Sequence, residues 1–135
     1  MKTKTKNNGS VFLIVVFAIV LIATITVGIL QMTTEEVMLM QNQLYAAQAF
    51  EVAEAGLNDA LSQIRTSSSW TTGFTNKSFT GYGTYTVSVA GTLPNRTITS
   101  TATSSQGYVA RVVADVTVGA SSPYAVRIDI LRVNE

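Results

Sequence analysis

Hydrophobic and polar positions change pattern twice along the chain. Residues 11–34 carry no charge (VFLIVVFAIVLIATITVGILQMTT), and their strongly apolar part, residues 11–30, is 20 residues long. As a helix that part spans roughly 30 Å, the hydrocarbon thickness of a bilayer. A soluble core helix would show a polar face every three or four residues. Here only Thr24 and Thr26 interrupt, and both hydroxyls can bond back to their own helix backbone. From residue 33 to 65 there is no Pro, and the only Gly is Gly56. Val37, Met40, Leu44, Ala47, Phe50, Ala53, Leu57, Ala60 or Leu61, and Ile64 recur at steps of three and four, which predicts an apolar stripe on a helix. Glu36, Gln41, Gln43, Gln48, Glu51, Asn58 and Asp59 fill its other faces. Span and stripe follow one another without a linker, so a single helix is predicted over 10–65, ended by Thr66 and three serines.

Beyond residue 80 alternation replaces the helical period, in segments rich in Thr, Val, Ser and Tyr. Tyr85, Val87 and Val89 share a face, as do Ile98, Ser100 and Ala102. Tyr108, Ala110, Val112, Ala114, Val116 and Val118 form a third set, and Tyr124, Val126, Ile128 and Ile130 a fourth. Four strands joined by short loops make an antiparallel meander with one apolar face. The helix stripe is the nearest cover for that face. The predicted fold is α+β: a long N-terminal transmembrane-plus-amphipathic helix packed on a C-terminal antiparallel sheet of about four strands. Phe50, Leu57, Leu61 and Ile64 are expected to meet Val112, Val116, Val126 and Ile128 in the core. Treating residues 119–123 as a five-residue hairpin loop sets Val118 opposite Tyr124, Val116 opposite Val126, Ala114 opposite Ile128 and Asp115 opposite Arg127. Arg111 then lies diagonal to Asp129. Trp70 and Phe74 fall in a connection assigned to no element.

The chain has 135 residues, 47% apolar and 13% charged, which argues against disorder. It has no Cys and no His. That removes disulfides, thiolate catalysis, cysteine zinc sites and the commonest general base. A net charge of +1 gives no basis for a nucleic-acid partner. No catalytic residue, metal or cofactor is assigned. Lys2, Lys4 and Lys6 precede the span while Glu35 and Glu36 mark its far end, so the N-terminus should stay in the cytoplasm and the rest be exported. Gln31-Met32-Thr33 offers no small-residue cleavage site, so the span reads as retained. Glu51 and Glu54 read as an exposed or interfacial helix face rather than paired catalytic acids. Gly81-Tyr82-Gly83 is a turn, not a phosphate loop, since no helix follows it. Tyr82, Tyr85, Tyr108 and Tyr124 read as sheet pairs ahead of a stacking platform. Asn76-Lys77-Ser78 and Asn95-Arg96-Thr97 match the glycosylation sequon, a short pattern with many chance hits. Gly28 reads as a small residue at a helix–helix contact ahead of a point of local melting.

A short basic leader ending in Gly9, an immediate apolar span, an unbroken amphipathic helix and a small antiparallel sheet resemble a type IV pilin or pseudopilin. QAFEVAEAGLNDAL, residues 48–61, is similar to the AF-x-x-AEAGL stretch of PilX-like minor pilins. The resemblance implies that prepilin peptidase cuts between Gly9 and Ser10, and that the new N-terminus at Ser10 is N-methylated. It further implies that Val11, Phe12, Leu13, Ile14, Phe17, Leu21 and Gly28 belong to the helix surface that sits in the membrane and then in a filament. The fifth residue after the cut, Glu in most pilins, is Ile14 here, and the first is Ser10 rather than Phe. Subunits lacking that Glu are similar to those at a filament tip or in an initiation complex, so a minor subunit is expected.

The implied division is a leader (1–9), a transmembrane half-helix (10–31), an amphipathic half-helix (32–66) and an exported β-domain (67–135). The implied partners are other pilin or pseudopilin subunits, prepilin peptidase, the inner-membrane assembly platform and the lipid bilayer. The expected location is the inner membrane in a single pass, then the pilus or cell surface. Two other classes compete: a single-span anchored binding or scaffold protein that forms no filament, and an anchored hydrolase, for which no site is constructed.

Overall fold

A computed structural model describes residues 8–133, as one helix followed by five strands. The basic head, with Lys2, Lys4 and Lys6, lies outside the described residues. Helix α1 runs Asn8–Thr66, then come β1 (Phe74–Phe79), β2 (Gly83–Ala90), β3 (Asn95–Ser104), β4 (Val109–Val118) and β5 (Val126–Val133). The fold is α+β, a long N-terminal apolar helix with an antiparallel sheet packed on it. The chain divides into two compact units between Gln41 and Asn42. In the first, residues 9–41 form helix alone and every one of them is exposed. The second combines residues 42–66 of α1 with the whole sheet.

The sheet is a plain meander in the order β1-β2-β3-β4-β5. Its strand count is five, not four. Strand β1 escapes an alternation search because only Phe74 is partly buried; the other five residues are exposed. Its pairing with β2 is also broken by a bulge between Phe74 and Lys77, where Asn76 takes a φ of 47°. Between β2, β3 and β4 the registers run without interruption, setting Val87 opposite Ser100 and Ser100 opposite Val112. Tyr85, Val87, Ile98, Ala102, Ala110, Val112, Ala114, Val116 and Val118 thereby share the face turned to the helix.

The helix side of this core is Ala49, Val52, Ala53, Leu57, Ala60, Leu61 and Ile64. Spacing of three and four keeps these seven on one stripe. Leu57, Leu61, Ile64, Val112 and Val116 are buried as expected, and Phe50 and Val126 pack against the cluster half-buried. Ile128 does not belong there. It pairs with Val116 but stays 46% exposed, because β5 is an edge strand with no neighbour beyond it. The outer part of the expected stripe is corrected as well: Val37, Met40, Leu44 and Ala47 are exposed, and burial begins at Ala49.

The expected β4–β5 register is two residues out. Val118 faces Val126, Thr117 faces Arg127 and Val116 faces Ile128. The loop is longer than five residues because Gly119 N donates to Ala125 O at 2.7 Å, and Tyr124 N is drawn off to Arg65 O at the end of α1 (3.2 Å). A slip of two leaves every side chain on its expected face. A bulge between Asp115 and Val116 then inserts Asp129, so Ile130 pairs with Asp115 and joins the charged face instead of the apolar one.

Candidate functional site

The surface singled out by the sequence is the first unit of α1. Gly9 and Ser10 lie in its first turns and are exposed, and a methyl group on Gly9 would meet nothing within 4 Å. Side chains of Val11, Phe12, Leu13, Ile14, Phe17 and Leu21 are 51–70% exposed. Gly28 has open space around it too: among the described residues nothing lies within 4 Å of where its side chain would begin. The helix is long and apolar enough to cross a membrane, and none of its most apolar 18-residue window is covered by protein. Polar groups inside this stretch are satisfied locally, as lipid demands. Thr24 donates to Val20 O, Thr26 to Ile22 O at 2.8 Å, and Thr34 to Leu30 O at 2.8 Å.

Beyond Glu35 and Glu36 four consecutive apolar residues follow before the polar Gln41, Asn42 and Gln43. Val37, Met38, Leu39, Met40 and Leu44 are all exposed, and no charged residue occurs from 37 to 50. Successive residues point in different directions around a helix, so residues 37–40 are apolar on several faces at once.

In the second unit one polar cluster forms where α1 meets β1 and β2. Lys77 Nζ donates to Asp59 Oδ2 at 2.6 Å, and the Tyr85 hydroxyl donates to the same oxygen. The Lys77 ammonium also lies 4.6 Å from the centre of the Phe74 ring. Hydrogen bonds from Lys77 and then Tyr85 hold the Asp59 carboxyl below its ordinary value. The bond to Asp59 raises Lys77, and burial is the main cause of the rise at Tyr85. Lys77 and Asp59 are thus held as an ion pair, with the neutral Tyr85 hydroxyl hydrogen-bonded to the same carboxylate. The sequence pattern places Asp59 on a solvent face; its partner Lys77 was invisible because β1 was.

A second cation sits just past the C-terminal end of α1. Arg96 on β3 is buried, and its Nη2 donates to Ser68 O at 3.3 Å, just past the end of α1. A guanidinium there complements the partial negative charge of the helix C-terminus. The signal available in sequence was an Arg at an inward-facing strand position, in phase with Ile98 and Ser100.

Glu51 and Glu54 are exposed on the helix, as expected. The tyrosines form no shared platform. Tyr85 meets Phe74 edge-on at 6.1 Å, Tyr108 lies 5.8 Å from Tyr45, and Tyr82 lies 5.8 Å from Phe79. Tyr82 N donates to Phe79 O, closing the turn expected at Gly81-Tyr82-Gly83. A hollow of about 420 Å³ lies beside the β2–β3 turn, lined by Leu93, Asn95, Thr97, Asp115 and Asp129 among others. Its two carboxylates are already held, Asp115 by Thr97 and Arg132, Asp129 by Thr117 and Arg127. Among the described residues no group of three or more His, Cys, Asp or Glu side chains could hold a metal ion.

No protein-family model, curated protein or solved structure matches this chain.

Proposed function

We propose that the protein is a minor subunit of a type IV pilus or pseudopilus, held in the inner membrane by α1 and assembled through that helix. Prepilin peptidase cuts between Gly9 and Ser10, and Ser10 becomes the methylated N-terminus. The observation that supports assembly over simple anchoring is the exposed apolar surface past Glu35 and Glu36. Lipid covers residues 11–30 in the membrane, but Val37, Met38, Leu39, Met40 and Leu44 lie beyond the two carboxylates that end the span. In water a surface of that kind marks an interaction site. Equivalent helices of neighbouring subunits would cover it, and the same packing would replace lipid around residues 11–30 once the subunit leaves the bilayer. The sheet domain then stays outside the helical bundle.

The test is the mass of the assembled protein. Chains purified from filaments should begin at Ser10, and Gly9→Leu should keep the leader and stop assembly. Membrane-bound protein that retains Met1, with no filament-associated pool, would refute the proposal and favour a single-span anchored binding protein.

A further inference from the structure

The two sequons differ sharply in where the fold puts them. In Asn95-Arg96-Thr97 the middle residue is 8% exposed, and the Thr97 hydroxyl that a transferase must read donates to Asp115 Oδ1 at 2.8 Å. That tripeptide lies in β3, paired with β4 at all three residues and with β2 at Thr97; Asn95 itself is exposed, but the hydroxyl two residues on is not free to be read. Asn76-Lys77-Ser78 lies in β1, at the open edge of the sheet. All three residues are exposed. The ladder to β2 is interrupted at Asn76 by the bulge, and its positive φ turns the residue out of the strand. The Thr86 hydroxyl accepts from Asn76 N at 3.1 Å and donates to Asn76 Oδ1 at 3.2 Å. That pair of bonds fixes the side-chain amide by its oxygen and leaves Nδ2 turned away from Thr86.

We infer that Asn76 is an N-glycosylation acceptor, modified from a lipid-linked oligosaccharide on the exported side of the membrane. In the transfer, Asn76 Nδ2 attacks the anomeric carbon of the first sugar. The bond from that carbon to the diphosphate oxygen breaks, the lipid diphosphate leaves with the electron pair, and the amide proton passes to a carboxylate of the transferase. Strand β1 suits this step because it holds the sheet by one edge only and buries little beyond Phe74, so entering an acceptor site gives up few contacts besides the exposed Lys77–Asp59 pair. A glycan there also covers the strand's open edge, which would otherwise be free to pair with another chain. The site rests on export of the sheet domain and not on filament assembly, so the two are tested separately.

The experiment uses the full chain in detergent with a single-subunit oligosaccharyltransferase that reads the three-residue sequon, a polyprenyl-diphosphate-linked oligosaccharide, and a short acceptor peptide as internal control. Intact mass should rise by one glycan. Asn76→Gln and Ser78→Ala should abolish the increase, Ser78→Thr should preserve it, and Asn95→Gln should leave it unchanged. Trp70 fluorescence checks that each variant is folded. An unmodified chain beside a modified peptide would overturn the assignment. So would a glycan that survives Asn76→Gln, or equal modification of Asn95.

Discussion

Gly56 of α1 lies directly against Ser100 of β3: a methyl group on the glycine would stand 2.5 Å from Ser100 Oγ and 2.7 Å from Tyr85 Cδ2. The glycine in the middle of a helix is thus a packing requirement, and it lets the helix approach the centre of the sheet. Gly56→Ala should gain about 1 kcal/mol in helix propensity. The crowding it introduces should cost about 1–3 kcal/mol. The net outcome expected is a lower melting temperature, followed by the fluorescence of the single Trp70, which packs near Phe74 at 5.2 Å. A Gly56→Ala chain that melts higher than wild type would show that the contact is loose.

Ser100 Oγ is itself buried with no hydrogen-bond partner among the described residues. Removing an unpaired buried hydroxyl recovers its desolvation cost, about 1–3 kcal/mol at most. Ser100→Ala should therefore be neutral or stabilising, and should soften the effect of Gly56→Ala when the two are combined. Marked destabilisation by Ser100→Ala alone would mean that the hydroxyl has a partner.

Leu57 and Ile128 separate the interior of the sheet domain from its edge. Leu57 is 6% exposed within the core cluster, so Leu57→Ala should destabilise the domain by about 2–5 kcal/mol. Ile128→Ala, at an edge position, should change stability by about 0.5 kcal/mol or less. Denaturant unfolding of both variants in detergent, again read at Trp70, distinguishes them. Equal losses would mean that Ile128 is covered after all.

The Asp59–Lys77 pair makes stability depend on pH at both extremes. Asp59 is held below its ordinary value of 3.8, chiefly by Lys77 and then by the Tyr85 hydroxyl. Its contribution is complete above that value and is lost as pH falls through the lower folded one. Lys77 is raised above 10.5, chiefly by its bond to Asp59, so its contribution holds below 10.5 and is lost as pH climbs through the folded value. Asp59→Asn should lower the melting temperature at pH 7. That difference should close on acidification below the carboxylate's folded value and narrow again in strong alkali. A difference constant from acid to alkali would exclude the ion pair as its origin.

The helix, the meander order and most of the core were legible because their periods are long and clean. Ile98, Ser100 and Ala102 alternate without a break, as do five residues of β4 from Ala110 to Val118. Strand β1 was not legible: an edge strand with one partly buried side chain has no face to alternate, and its bulge removes what period remained. Register failed for a related reason. The β4–β5 loop is set by Gly119–Ala125 and Tyr124–Arg65 backbone bonds, which no side-chain pattern announces. On the helix, Leu44 and Ala47 continue the apolar spacing, yet the sheet does not reach them. Periodicity reports that a face is apolar, and the geometry of the partner decides how much of it is covered. The surface around residues 11–30 was legible throughout, since a long uncharged stretch needs no partner to be recognised.

Asp115 provides the last prediction, because its neighbours depend on the β4–β5 register. Had Asp115 stood opposite Arg127, that guanidinium would set its charge. Instead Thr97 Oγ1 donates to Oδ1 at 2.8 Å, Arg132 Nη2 donates to Oδ2 at 2.8 Å, and Arg127 is occupied with Asp129 at 2.7 Å. The carboxyl is held below its ordinary value by Thr97 first and by Arg132 after it, opposed by desolvation and more weakly by the nearby Asp129 charge. Thr97→Val and Arg132→Gln should therefore each raise the Asp115 titration midpoint. Arg127→Gln should not raise it through any lost bond, since Arg127 makes none to Asp115; its only route is through freeing Asp129. Carboxyl carbon shifts followed by NMR across acid pH give the three midpoints. A larger rise for Arg127→Gln than for Arg132→Gln would restore the five-residue loop and remove the bulge at Asp129.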